Sequence, residues 1–172
     1  LLPFKSLAAM ATAREKFEAD PEVLKADFAN VPPTDPAYIR KENSLMLAFT
    51  GLPKLEVPGQ VAGKKPRLFE LRTYEAHSRK ANKKKVEMFN VGEIAIFRKA
   101  GLMPVFFGET IIGPSMPNLT YMLVYEDMAA RDKYWSTFQG LPEWKALAST
   151  PGFTDPEIVS SITNMYLRPA AF

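Results

Sequence analysis

The sequence predicts an α+β domain of order β-α-β-β-α-β, and three observations carry that expectation. Residues 67–74 alternate as a strand with two unlike faces does. Residues 78–100 carry an apolar stripe at helical spacing between a serine that can cap and a glycine that can stop. Two apolar runs then flank Gly113-Pro114-Ser115-Met116-Pro117-Asn118, a turn-rich hairpin loop.

The elements follow in order. Arg67 to Tyr74 is the first strand, with Leu68, Glu70, Arg72 and Tyr74 on one side and Phe69, Leu71 and Thr73 on the other. Ser78 to Ala100 is a helix ended by Gly101. Its stripe is Val86, Phe89, Ile96, Phe97 and Ala100, which leaves Glu93 facing inward. Val105 to Ile112 and Leu119 to Glu126 are the hairpin strands. Asp127 to Leu147 is helical, with Asp127 as N-cap and a break near Gly140-Leu141-Pro142. Ile158 to Arg168 is the closing strand. This order is the split-βαβ, or ferredoxin-like, motif. Its helices lie on one face of the sheet, so a second sheet is expected to cover the other.

Upstream, the chain repeats itself. Ala13-Arg14-Glu15-Lys16-Phe17 returns as Ala130-Arg131-Asp132-Lys133-Tyr134, about 120 positions later, a spacing far too wide for a solenoid. Pro21-Glu22 recurs as Pro142-Glu143, Thr34-Asp35-Pro36 as Thr154-Asp155-Pro156, and Ser44-Leu45-Met46-Leu47-Ala48-Phe49 matches 163–168. The reading is a helix (Ser6 to Asp20) and a strand (Tyr38 to Phe49) from the tail of a first copy at 1–50. A Pro- and Gly-rich linker at 51–66 and a complete copy at 67–172 follow. A lone helix and strand have an open face and unpaired edges. The early strand is therefore expected to join the complete copy's sheet or to exchange with another chain.

Composition removes several classes of function. With 172 residues and 47% hydrophobic content the chain can bury a core. There is no cysteine and one histidine, so thiolate chemistry, disulfides and multi-His metal sites are excluded. The charge of +3 is concentrated in clusters such as Lys83-Lys84-Lys85, too small a field to point to nucleic acid. That run reads as a solvated helix face, with an anionic membrane surface as the alternative. No stretch approaches the roughly 18 apolar residues of a membrane span, so a soluble chain is expected, its compartment unspecified. The apolar start from Leu1 to Ala13 looks like the end of a signal peptide. The same Ala-rich lead precedes Arg131, which favours a helix approach, and the missing initiator Met fits a processed or truncated N-terminus. No GxGxxG, P-loop, HExxH or nucleophile elbow occurs, and no cofactor or metal is expected.

Phe69-Glu70-Leu71-Arg72-Thr73-Tyr74 resembles the opening strand of the NIPSNAP family, close to (Y/F)ELRxY. Asn118 through Tyr125-Glu126-Asp127 to Arg131 resembles the family's strand and helix entry, which ends Y-E-D-x-x-x-R. Leu141-Pro142-Glu143-Trp144 is similar to its xPEW block, and Leu167-Arg168-Pro169 to its closing LRP. The early half-copy lacks the ELRxY strand, the Trp and the LRP. The resemblance implies a dimeric α+β barrel, in which two ferredoxin-like sheets face each other, from two chains or from two copies in one. Cofactor-free oxygenases belong to that barrel superfamily, whereas NIPSNAP proteins have no firmly established reaction.

If Phe69 and Leu71 pack under the helices, Glu70, Arg72 and Tyr74 face the barrel interior. Arg72 is then an anion clamp and Glu70 its orienter or a proton acceptor; the structural alternative is an ion pair that fixes register. Tyr121, Leu123 and Tyr125 share a face of one central strand, and Phe107, Glu109 and Ile111 of its neighbour. With Tyr74 they either line an aromatic ligand cavity or form core. The ligand-binding set is thus Glu70, Arg72, Tyr74, Phe107, Tyr121 and Tyr125. Candidate acid/base groups are Glu70, Glu109 and His77, an imidazole being suited to proton transfer near neutral pH. Glu93 is expected to pair with Arg98 or Lys99, or to be a buried acid. Arg131 reads as a partner in a local ion pair, and Trp135, Phe138 and Trp144 as the seal between helix and sheet. The function expected is binding of a small apolar or anionic molecule inside the barrel. An oxygenase-like enzyme and a non-catalytic assembly module are the alternatives.

Overall fold

The computed structural model describes residues 1–57 and 67–170, so part of the linker expected at 51–66 lies outside the described residues. The chain divides into two compact units, Leu1–Asn43 and Ser44–Phe172.

The first unit holds two helices, α1 (Leu7–Glu18) and α2 (Pro21–Lys25). The Ser6 hydroxyl caps α1 and the Asp20 carboxylate caps α2, with Pro21 in the first turn where its missing N–H costs nothing. Neither helix buries a residue. The strand expected from Tyr38 is shorter than its apolar pattern suggests. Residues 38–43 form no strand, and Ile39 is 91% exposed.

The second unit is one antiparallel sheet with strand order β1-β3-β4-β2-β5. The strands are β1 (Leu45–Ala48), β2 (Leu68–Glu75), β3 (Met103–Ile112), β4 (Asn118–Tyr125) and β5 (Ser161–Leu167). Strands β2 to β5 are those expected of the ferredoxin-like motif. The early strand β1 adds to the free edge of β3, with Leu45 opposite Ile112 and Ala48 opposite Gly108. Gly108 makes that edge approachable, because a Cβ there would lie 2.8 Å from Cβ of Met46. The chain then dives inward. The Phe49 N–H donates to the Phe107 carbonyl (3.2 Å), and Phe49 and Leu52 are 2% and 3% exposed in the core.

The crossover after β2 begins at Ser78, whose hydroxyl accepts from the Ala81 N–H. It runs through α3 (Arg79–Met88), a π-helical turn (Phe89–Glu93) and α4 (Ile94–Lys99). Gly101, at φ +88°, stops it as expected. After β4, Asp127 caps α5 (Met128–Gly140), and Pro142 opens α6 (Pro142–Ala148), which places the expected break at Leu141. One helical turn, α7 (Asp155–Ile158), precedes β5 and was not legible in the sequence.

Core packing shows which sheet face the helices take. Phe89 and Phe97 from the crossover pack on Phe107 and Tyr121 of the sheet, with ring centroids 5.2 to 6.2 Å apart, and Phe97 also meets Trp135 and Phe138 of α5. By alternation, Phe69, Leu71 and Thr73 of β2, Thr120 and Met122 of β4, and Thr163 and Met165 of β5 line the opposite face. Among the described residues of this unit, that face carries no helix. Met165 is 52% exposed there and Leu167 37%.

Gly108→Ala is expected to lower stability by about 1–2 kcal/mol by forcing Met46 and β1 away from β3, without disturbing β2 or β5. Urea unfolding with hydrogen exchange resolved by strand checks this, since protection should fall first at the β1–β3 pair.

Candidate functional site

Strand alternation sends Leu68, Glu70, Arg72 and Tyr74 to the same side of β2, and that side is the helix side. This corrects the expectation that Phe69 and Leu71 lie beneath the helices while the charged residues face a barrel interior. The reason is chemical. A glutamate and an arginine with little or no exposure need donors and acceptors, and α5 supplies them from above.

Glu70 has no exposed surface, and both its oxygens are occupied. Its Oε1 accepts from Arg72 Nη1 and Arg131 Nη2, each at 2.9 Å; its Oε2 accepts from the Tyr125 hydroxyl (2.7 Å) and Trp135 Nε1 (3.0 Å). Burial alone would raise this carboxyl. The hydrogen bonds from Arg131, Tyr125 and Trp135 and the charge of Arg72 outweigh burial and hold it below the usual carboxylate range. Arg72 continues the chain, with Nη2 donating to the Tyr74 hydroxyl (3.0 Å), itself 2.9 Å from that of Tyr121. Its guanidinium also lies 4.5 Å from the Trp135 ring centroid. With the Asn164 amide turned to satisfy its neighbours, its oxygen accepts from Arg72 Nη1 at 3.2 Å.

All six expected ligand-binding residues therefore share one face, and five of them share one polar network. They fill the space between sheet and helices: Tyr121 and Tyr125 have no exposed surface, and Phe107, 1% exposed, stacks on Tyr121 at 5.0 Å. The candidate acid/base groups do not converge. Glu70 is saturated with donors, Glu109 Oε1 accepts from Asn82 Nδ2 (3.1 Å), and the exposed His77 makes none of these bonds. A proton acceptor needs a free lone pair within reach of substrate, and Glu70 has none to spare.

Sequence reasoning underrated Arg131 and Trp135. Arg131 makes a local ion pair with Asp132, as expected, but also binds the distant Glu70, and Trp135 donates a hydrogen bond as well as sealing the core. Their signal was the i, i+4 spacing on α5 opposite the one charged pair of β2.

A second buried cluster sits under α3. Lys85 is 2% exposed, which corrects the reading of Lys83-Lys84-Lys85 as wholly solvated. Its Nζ lies 3.3 Å from Glu93 and from Asp155, among the rings of Tyr74, Phe89 and Trp144. Glu93 pairs with this lysine and not with Arg98 or Lys99, which go to Glu56 and Glu143. Burial pushes the Glu93 carboxyl up to about 7, against the pull of Lys85.

Among the described residues, two of the hollows bear on the site. One, of about 210 Å³, lies on the open sheet face among Ser44, Thr73, Glu75, Thr110, Thr120 and Thr163. The other, of about 390 Å³, is a notch between α5 and β5 lined by Arg72, Arg131, Trp135, Ser136, Gln139 and Asn164, with Asp132 at its edge. Among the described residues no three His, Asp or Glu side chains gather as a metal site, and no helix is long and apolar enough to cross a membrane.

Fold and network together define a ferredoxin-like α+β domain whose strand β2 is locked to α5 by a buried ion cluster. The sequence model of the NIPSNAP family matches residues 69–172, and the chain belongs to that family. Solved structures agree on the fold. An uncharacterised NIPSNAP-like domain protein from Burkholderia xenovorans is 22% identical with a TM-score of 0.54, over 62% of this chain and 87% of that one. A NIPSNAP family protein of unknown function from Agrobacterium tumefaciens is 16% identical with a TM-score of 0.55, over 63% and 93%. No curated protein matches the chain.

The Lys85 cluster makes stability depend on pH. Because the folded state prefers Glu93 protonated, its contribution is full below pH about 4.5 and is lost as pH rises through about 7. Urea unfolding between pH 5 and 8 should show stability falling by up to about 3 kcal/mol from this group. Glu93→Gln should flatten that slope. Glu70→Gln, by contrast, leaves two guanidinium groups short of their carboxylate and should cost about 3 kcal/mol or more at pH 7.

Proposed function

We propose that the domain binds a small molecule in the space its open sheet face encloses with a second copy of the same fold. The carrying observation is the character of that face. It is apolar at one end, through Phe69, Leu71, Met122 and Met165, and hydroxyl-rich at the other, around the 210 Å³ hollow. Phe69, Leu71 and Met122 of the apolar end are half-buried and Met165 is 52% accessible, and a sheet with helices on one side needs cover on the other. Membership of the NIPSNAP family supports the paired arrangement.

The ligand this face suits has an apolar body and a hydrogen-bonding head. Phe69, Leu71 and Met122 take the body. The hydroxyls of Thr73, Thr110, Thr120 and Thr163 and the Glu75 carboxylate take the head. The site's location is thus the barrel interior, but its residues are the outward-facing partners of the set first expected. A second reading is an assembly module without chemistry. The filled helix side and the saturated Glu70 favour it over an oxygenase-like enzyme, because neither leaves an acid/base pair in a wet cavity.

Light scattering after size exclusion should give the mass of a dimer at micromolar concentration. Leu71→Asp with Met165→Asp should give a monomer of unchanged far-UV circular dichroism. A monomeric parent chain would overturn the pairing. A dimer whose melting temperature responds to no compound in a library of small amphipathic molecules would leave the assembly module as the function.

A further inference from the structure

We propose that the notch between α5 and β5 is an anion-binding site, taking a small carboxylate- or phosphate-bearing molecule on Arg131 and Arg72. It lies on the opposite side of the sheet from the face treated above and is independent of it.

The charge balance argues for an anion. Two guanidinium groups meet one buried carboxylate, Glu70, which accepts from both on a single oxygen while its other oxygen is taken by Tyr125 and Trp135. The other carboxylate touching the pair is Asp132, 2.9 Å from Arg131 Nη1, with a side chain 66% exposed. An exposed pair of this kind is worth little and yields readily to a better-placed oxyanion.

Unmet donors argue the same way. The Nε atoms of Arg72 and Arg131 are both buried without a hydrogen-bond partner among the described residues. Each such donor costs about 1–3 kcal/mol unless an acceptor reaches it. Arg72 as a whole is 9% exposed, so this is a built feature and not a surface arginine between partners.

The site is also prepared in advance. Glu70, Tyr74 and the Trp135 ring fix the Arg72 guanidinium, so binding does not have to order it. Arg131, Trp135 and Gln139 stand at i, i+4 and i+8 on one face of α5, with Ser136 beside them and the Asn164 amide across on β5. A fork of guanidinium donors flanked by amide and hydroxyl groups matches the oxygens of a carboxylate or phosphate. The volume of about 390 Å³ admits a small organic acid against the indole.

Calorimetric titration of the unmodified chain with inorganic phosphate and, separately, with benzoate in low-chloride buffer tests this. Saturable binding of at least one anion with Kd below about 10 mM is expected, and which one binds tells a tetrahedral from a planar oxyanion site. Ser136→Asp, at an exposed position, places a rival carboxylate in the notch and should weaken binding about tenfold or more without loss of fold. Asp132→Asn should tighten it, an effect a purely structural Arg131 would not produce. Absence of saturable binding of both anions, or binding unchanged in Ser136→Asp, would overturn the proposal.

Discussion

Glu70 is a carboxylate with no exposed surface, and much of the domain is arranged around keeping it charged. A buried carboxylate is tolerable only if its oxygens are filled, and the four groups that fill them come from β2, β4 and α5. The strand cannot slip by one residue, since that would turn Glu70 and Arg72 out and bring Phe69 and Leu71 in. The helix cannot rotate either, because Arg131 and Trp135 must both reach the same acid. Two of the sequence blocks that carry the family resemblance thereby acquire a common cause. Glu70, Arg72 and Tyr74 of the first strand and Tyr125 and Arg131 of the strand-to-helix turn are halves of one hydrogen-bonded network.

The same network decides what the helix side can do. Its aromatic lining was legible in the sequence as a shared face, but not as core or as cavity, since both use the same residue types. Packing gives core. Tyr74, Tyr121, Phe107, Phe89 and Phe97 interlock, and each is 6% exposed or less. What stays accessible is the rim where α5 leaves β5 uncovered, and there the guanidinium groups held by Glu70 reach the surface. An ion pair that fixes register and an anion clamp, read from the sequence as alternatives for Arg72, are compatible roles for one side chain.

Periodicity and end signals made β2 to β5, the capping of α3 and α5, the stop at Gly101 and the break at Leu141 readable, because each depends on a few adjacent residues. Three things were out of reach for definite reasons. Alternation separates two faces of β2 but is symmetric between them, so the side the helices choose had to come from Arg131 and Trp135, some 60 residues away. Lys85 lay in a run of lysines that looks solvated, and its burial depends on Glu93 across the π-helical turn and Asp155 on α7. The strand expected from Tyr38 stopped short because apolar character makes a strand only where an edge is offered. Leu45–Ala48 has the edge of β3; residues 38–43 have none.

That edge gives the early repeat its structural meaning. Locally, α1, α2 and β1 follow the same plan as α5, α6 and β5: a capped helix, a short helix opened by proline, then a strand. The tertiary outcome differs completely. In residues 67–170 α5 buries Phe138 and locks onto Glu70, and β5 pairs with β2. The early helix carries Phe17 where α5 has Tyr134 and has neither tryptophan nor buried face, so local pattern alone makes it a helix and nothing more. Its strand takes the opposite border of the sheet. By covering β3 it removes one unpaired edge and places Phe49 and Leu52 in the core, while β5, exposed along its whole length, keeps the other border open. The domain therefore presents its apolar sheet face and its remaining free edge together on the β5 side, which is the physical ground of the proposed pairing with a second sheet.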